Sequence, residues 1–189
     1  MAPPSGWVRL PWRGTARHGD DPYWDFFLNT PPSDPANSLS EVIRNAPEGN
    51  IFPTRADLHT PEVTTRHVEG MARYLGADLV GVTALESDDA GHPFAIVCAV
   101  RADHDPRKAS GIGGQVPVQN GLFITFVLSA WIRELGFRAN AAPALDAERL
   151  AAAAKLGSLD RNGKLVTADY GTRVHVADVI RTDLPLATA

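Results

Sequence analysis

The sequence predicts an α+β fold, a layered sheet with flanking helices. Two observations carry that expectation. Three helical patterns with recognisable starts and stops are spread over the chain from Thr60 onward, and short apolar or period-2 runs that read as strands separate and follow them.

Up to Thr60 the chain is dense in punctuation: Pro3, Pro4, Pro11, Gly14, Gly19, Pro22, Pro31, Pro32, Pro35, Pro47, Gly49 and Pro53 argue against long regular elements. Trp7, Trp12, Tyr23, Trp24, Phe26, Phe27 and Phe52 are nonetheless too many aromatics for a disordered tail. Residues 1–60 are therefore expected to form an arm that packs on the main domain or on a second subunit. A short helix from Ser38 to Arg44 within it would turn Leu39, Val42 and Ile43 inward.

Thr60, Pro61 and Glu62 form a helix start, with an N-cap hydroxyl, a proline in the first turn and an acid beside the positive helix end. This helix is expected to reach Leu75, stop at Gly76 and bury Val63, Val68, Met71 and Leu75. Asp78 to Leu85 and Phe94 to Val100 read as buried neighbouring strands joined by an exposed turn from Ser87 to His92. The polar segment from Arg101 to Asn120 contains Gly111, Gly113 and Gly114, but neither a P-loop nor a dinucleotide fingerprint. Val118 to Leu135 is the strongest helix, with Leu122, Phe123, Phe126, Val127, Ala130 and Trp131 as its apolar stripe and Gly136 as its stop. So apolar a helix also suits a dimer interface. Phe137 to Ala144 is extended, and Asp146 caps a helix from Ala147 to Leu156.

The last stretch, Leu156 to Leu186, holds turn signals at Asn162-Gly163 and Tyr170-Gly171, then alternation from Arg173 to Val179. Locally this reads as a hairpin on a sheet.

Composition narrows the function. The 189 residues suit one domain, and 44% hydrophobic and 21% charged residues with a net charge of −4 give no basis for a nucleic-acid surface. No apolar run approaches the roughly 20 residues of a membrane span and no signal-peptide pattern opens the chain, so a cytoplasmic location is expected. The single Cys98, inside an apolar strand, excludes an intrachain disulfide and a four-cysteine cluster. Six histidines show no helical i, i+4 pair, so no dedicated metal centre is expected. His67 and His175 fall in regular elements, facing solvent or satisfied by neighbours; His18, His59 and His92 fall in loops.

Leu156, Gly157, Leu159, Arg161, Gly163, Tyr170, Gly171, Arg173 and Thr182 to Leu186 match, in order and spacing, the end of the corrinoid-binding domain of reductive dehalogenases and epoxyqueuosine reductases. In that motif Lys155 and Asp160 replace two glycines, and Thr172 also departs. The resemblance extends back to about Glu62, through Tyr74 to Val82 and Trp131 to Phe137, so that residues 61–189 resemble the cobalamin-binding domain. It implies a nitroreductase-like fold and a base-off cobalamin cofactor. Gly157, Ser158, Asn162, Gly163, Tyr170, Gly171 and Arg173 would line its groove.

The same resemblance places His104 where many dehalogenases carry a proton-donating tyrosine, assisted by the arginine corresponding to Arg161. An imidazole suits proton transfer near neutral pH, and a guanidinium holds an anion or orients a donor. Asp103 or Asp105 is the alternative donor, after the carboxylic acid of epoxyqueuosine reductases; the plain alternative is a solvated loop, with Arg161 on helix carbonyls or paired with Asp160 or Asp169. Relatives that do redox chemistry carry iron–sulfur segments after the Thr-Asp-Leu-Pro-Leu end. With one cysteine no such cluster is expected here, and a reductase would need an external electron-donor protein. Three readings stay open: a cobalamin-dependent oxidoreductase, a corrinoid carrier or processing protein, and a degenerate structural or dimerising domain in which Lys155 and Asp160 fill the cofactor space.

Overall fold

A computed structural model describes residues 27–30, 38–86 and 91–189. Trp7, Trp12, His18, Tyr23, Trp24 and Phe26, and Ser87 to Ala90 of the expected turn, lie outside the described residues.

The fold is α+β. In chain order it comprises α1 (Leu39–Arg44), α2 (Pro61–Tyr74), β1 (Leu79–Ala84), β2 (Phe94–Arg101), a 3-10 turn (Pro106–Lys108), α3 (Val116–Glu134), β3 (Ala139–Ala142), α4 (Ala147–Ala153), β4 (Ser158–Leu159), β5 (Leu165–Val166), β6 (Val174–Val176) and β7 (Val179–Thr182). The main sheet runs β1-β2-β7-β3, with β6 also paired to β2, and every pair is antiparallel.

Strand alternation divides the core between two faces. Ile96, Cys98 and Val100 of β2 join Val80 and Val82 under α2 and α3, against Val68, Ala72, Ile124, Leu128 and Ile132. Ala95, Val97 and Ala99 face the other way, against Ala151 of α4, Leu165 and Val174. Each of Ile124, Leu128 and Ile132 is fully buried, a contribution of about 1.5–3 kcal/mol apiece.

β6 and β7 form one interrupted strand. The register moves from Ala99 opposite Val176 to Ile96 opposite Ile180, so one extra residue is accommodated and Ala177 donates to the Cys98 carbonyl at 2.9 Å. This β-bulge switches the parity of the buried side chains: Val174 and Val176 lie on the α4 face, whereas Ala177 and Ile180 lie on the α3 face. The alternation expected to run unbroken to Val179 therefore ends at Val176.

Several boundaries follow the signals in the chain. Gly76 and Gly136 end α2 and α3 at φ values of +108° and +82°, and the Asp146 carboxylate caps α4 by accepting from the Arg149 amide. Val68 and Ala72 of α2 are wholly buried, Met71 and Leu75 pack on the core from partly buried positions, and Val63 is half-buried.

Other expectations are corrected. α3 buries Leu122, Ile124, Thr125, Leu128, Ser129 and Ile132, leaving Phe123 44% and Phe126 39% exposed; with apolar residues all round the helix, its composition does not fix which face turns inward. α1 buries no residue, and Leu39 and Val42 are exposed rather than inward-facing. His92, expected in an exposed turn, is buried. α4 stops at Ala153, three residues before the expected Leu156, because Lys155 adopts φ +59°. That left-handed conformation favours glycine, the residue the motif carries at this place.

Two anchors fix the ends of the domain. Phe52 and Ala56 donate to the Arg133 and Leu135 carbonyls at the end of α3, and Arg55 lies 4.7 Å over the Phe137 ring while pairing with Asp183 at 3.0 Å. The Thr-Asp-Leu-Pro-Leu end is equally engaged. The Thr182 hydroxyl donates to the Arg138 carbonyl and accepts from Leu184, Asp183 accepts from the Arg138 amide, and Leu184 and Leu186 are buried.

Three outcomes test this packing. A Cβ on Gly81 would lie 2.9 Å from both Cβ and O of Ala154 and 3.0 Å from Leu156 Cδ2. Gly81→Ala should therefore lower unfolding free energy by about 1–3 kcal/mol in urea titrations. Lys155→Gly should raise it by about 1 kcal/mol by relieving the left-handed strain; a loss of stability would show that the lysine side chain outweighs its backbone. Burial pushes the Cys98 thiol from 9.0 up to about 12. The unfolded thiol ionises first, so wild type should lose stability relative to Cys98→Ala as pH rises from 9 towards 12, with no divergence below that window.

Candidate functional site

The motif stretch folds into a small hairpin. Ser158 pairs with Val166 and Leu159 with Leu165, and Asp160 shapes the tip by accepting from the amides of Asn162 at 2.7 Å and Lys164 at 2.9 Å. Those amide hydrogen bonds, Lys164 first, hold the Asp160 carboxyl below its usual range. Its side chain is thus engaged in the turn. Gly163, at φ +75°, completes the tip with open space beyond its Cα, and Arg161 and Asn162 are exposed there. Arg161 makes no hydrogen bond or ion pair with Asp160, Asp169 or His104.

Gly157 has a structural demand of its own, since a Cβ there would run into the Val166 carbonyl. The following turn is closed by reciprocal bonds between Thr167 and Gly171, both 2.9 Å, and by the Tyr170 amide on the Thr167 hydroxyl. Tyr170 packs against the α4-side cluster. Ser158 and Arg173 are exposed, and the Arg173 carbonyl accepts from the Ala102 amide at 3.0 Å. That bond brings the turn beside the segment containing His104.

His104 is half-buried, with Nε2 3.0 Å from the Gly114 carbonyl. A carbonyl only accepts, so in this contact Nε2 carries the proton. Asp103 is bound by the Arg101 guanidinium at 2.9 and 3.1 Å. Asp105 is bound by Arg107 at 2.9 and 3.0 Å, and chiefly that side-chain bond brings its carboxyl down to about 2. At neutral pH Asp105 has no proton to give. The glycines after it serve close packing: the Gly111 and Gly113 amides donate to the Leu28 and Phe27 carbonyls, and the Phe27 ring occupies the space beside Gly113.

A large concavity lies next to the hairpin. It is a groove of about 1150 Å³ between α1, the 105–115 loop, the start of α3 and strand β6, with Glu148 of α4 and Lys164 of the hairpin at its side. Leu39, Ile112, Val118 and Val176 give it apolar surface; Ser38, Ser40 and Gln119 offer uncharged hydrogen-bonding groups. The motif residues named above do not line it, although Lys164 and Val174 adjoin Gly163 and Arg173.

His175 lies on the groove wall, a position the sequence did not single out. It alternates with buried Val174 and Val176, and its Cδ2 would be 3.5 Å from a Cβ on Gly121 of α3. Burial is the main cause lowering its pKa; Lys164 and Arg44 lower it further, while Asp178 and Asp105 oppose. The imidazole is thus biased to the neutral form. A histidine in a strand facing away from two core valines was the available signal, but β6 alone did not reveal that α1 and the 105–115 loop would build a cavity over it. His67, by contrast, is exposed and stacks edge-on against His59 at 5.6 Å.

Among the described residues no group of three or more His, Cys, Asp or Glu side chains could hold a metal ion, and no helix is long and apolar enough to cross a membrane.

No protein-family model and no curated protein matches the sequence. Solved structures do. The chain matches the catabolic reductive dehalogenase NpRdhA in complex with 3-bromo-4-hydroxybenzoic acid with a TM-score of 0.63 and 23% identity, over 80% of this chain and 23% of that one. N-terminally tagged NpRdhA gives a TM-score of 0.65 and 24% identity, over 79% and 26%. A dehalogenase structure described as suggesting a mechanism for B12-dependent dehalogenation gives 0.65 and 23%, over 79% and 26%. This chain therefore spans about a quarter of the length of those proteins and has the fold of one part of a reductive dehalogenase.

Proposed function

We propose that this protein binds a corrinoid of the cobalamin type in the groove between α1, α3 and β6. The single observation that carries this reading is a groove of about 1150 Å³, lined by apolar surface, uncharged hydrogen-bonding side chains and charged groups at its sides, on a fold matching a dehalogenase described as B12-dependent. Ordinary small-molecule sites occupy about 300–1,000 Å³, so this one suits a larger ligand. A corrinoid is large, apolar over its ring faces and fringed with amides, which call for neutral donors and acceptors such as Ser38, Ser40 and Gln119. The residues present fit that group.

When bound, the corrinoid would supply cobalt-centred redox chemistry. The chain's own residues contribute positioning: the hydroxyls and amide orient the corrin fringe, Val118 and Ile112 keep water from its face, and His175 presents an imidazole to the cavity. Binding is better supported than turnover, since Arg161 stands exposed on the hairpin and makes no bond to His104. A second reading, an oxidoreductase served by an external electron-donor protein, draws support from the Arg173 to Ala102 bond that brings the motif turn beside the His104 segment. In that reading His104 delivers a proton.

Mixing the protein with hydroxocobalamin, followed by gel filtration, should yield protein that retains the corrinoid spectrum; a colourless protein fraction would sink the proposal. Gln119→Trp, which fills the groove, should abolish retention, whereas Gly163→Trp at the exposed hairpin tip should not. The reverse pattern would move the binding site to the hairpin. Reductive turnover with a chemical electron donor that falls at least tenfold in His104→Ala, with retention unchanged, would favour the enzyme over the carrier.

A further inference from the structure

We infer that the groove contains an oxyanion subsite, formed by Lys164 and Arg44 beside His175, that takes a phosphate group. For the corrinoid proposed above, on which this assignment to a ligand rests, the group is the phosphodiester of the nucleotide tail.

The placement of charge around the groove carries the inference. Among the described residues, six charged side chains line it: Glu41, Arg44, Asp105, Arg107, Glu148 and Lys164. The acids are engaged. Asp105 is held by both the side chain and the amide of Arg107, and Glu148 accepts from the Leu165 amide at 2.7 Å. Glu41 meets Arg44 only at 3.9 Å, within α1. Arg107 is committed to Asp105 by two guanidinium bonds, whereas among the described residues the Lys164 ammonium forms no ion pair and Arg44 has only the long contact to Glu41. The two cations come from different elements, one on α1 and one on the hairpin, yet both line the same groove as His175 and act electrostatically on its imidazole. They therefore converge.

Two cations beside a half-buried histidine repel one another and add to burial in disfavouring the charged ring. An oxyanion between them removes that repulsion, accepts charge-assisted hydrogen bonds from both and favours the protonated imidazole. Among the described residues, four charged side chains act on His175. Asp178 shares its strand segment, Asp105 stands on the loop, Lys164 on the hairpin and Arg44 on α1, while Gly121 of α3, beside the ring, carries no charge. Lys164 also joins the motif to the groove: its amide is fixed by Asp160, so the motif's departure from glycine there helps set the position of this cation.

The experiment compares hydroxocobalamin with cobinamide, the corrin lacking the phosphate-linked nucleotide tail, and adds inorganic phosphate as a separate probe. Wild-type protein should bind hydroxocobalamin at least about tenfold more tightly than cobinamide, the effect of one charge-assisted bond, and this ratio should collapse towards one in Arg44→Gln/Lys164→Gln. The His175 imidazole resonance, assigned by its loss in His175→Gln, should titrate at higher pH when inorganic phosphate is added, and this rise should vanish in the double variant. A ratio near one in the wild type, or a ratio the double substitution leaves intact, overturns the subsite. Binding of neither corrin overturns the corrinoid reading instead. The phosphate titration then decides the subsite alone: a rise at His175 supports it, and an unmoved resonance overturns it.

Discussion

From Ala95 to Val100, six successive side chains of β2 are buried, alternately under α2 and α3 and under α4, while the backbone pairs with β1 along one edge and with β6 and β7 along the other. A strand enclosed on both faces and both edges leaves its neighbours little freedom. Helices on the two faces must approach at distances set by small residues, as α4 does over Gly81 and α3 does at Gly121, where a Cβ would lie 3.0 Å from the Cβ of Ala177. The bulge in the strand alongside β2 is a consequence of the same enclosure: it lets one continuous segment serve the α4 face with Val174 and Val176 and the α3 face with Ile180.

The groove depends on that bulge. Before it, the side chain of His175 is directed to the α3 side, where the 105–115 loop and α1 roof a cavity; beyond it, the strand belongs wholly to the core. The Thr-Asp-Leu-Pro-Leu end of the motif has a different part. Thr182 and Asp183 tie β7 to Arg138, and Leu184 and Leu186 fill the core, so matching that end to the dehalogenase pattern reports shared architecture before it reports any shared chemistry.

Much of this was legible in the sequence because the signals were local. Pro61, Gly76, Gly136 and Asp146 act through backbone geometry and capping, and they mark boundaries within the few residues they touch. β1 and β2 were legible because unbroken apolar runs of that length suit buried strands. The orientation of α3 was not, since a helix apolar on every side gives periodicity no phase to report; Phe123 and Phe126 look like core until the sheet is in place. The early end of α4 depended on Lys155 accepting a conformation usually left to glycine. Among candidate residues, the sequence located the hairpin through its resemblance but not the adjacent groove, which is assembled from α1, the 105–115 loop and β6, segments far apart in the chain. His175 acquires its environment only from that assembly.

The two walls of the groove are unequally secured. One is β6, paired to the central strand and backed by the core. The other is α1, six residues long, with a side-chain cap from Ser38 and no buried residue; isolated helices of that length have negligible stability in water. Displacing it exposes little apolar surface, so the free energy needed is a small part of that for global unfolding. The width of the groove is therefore tied to how readily α1 yields as well as to its dimensions at rest, and substitutions in those few residues would alter it while leaving the sheet untouched.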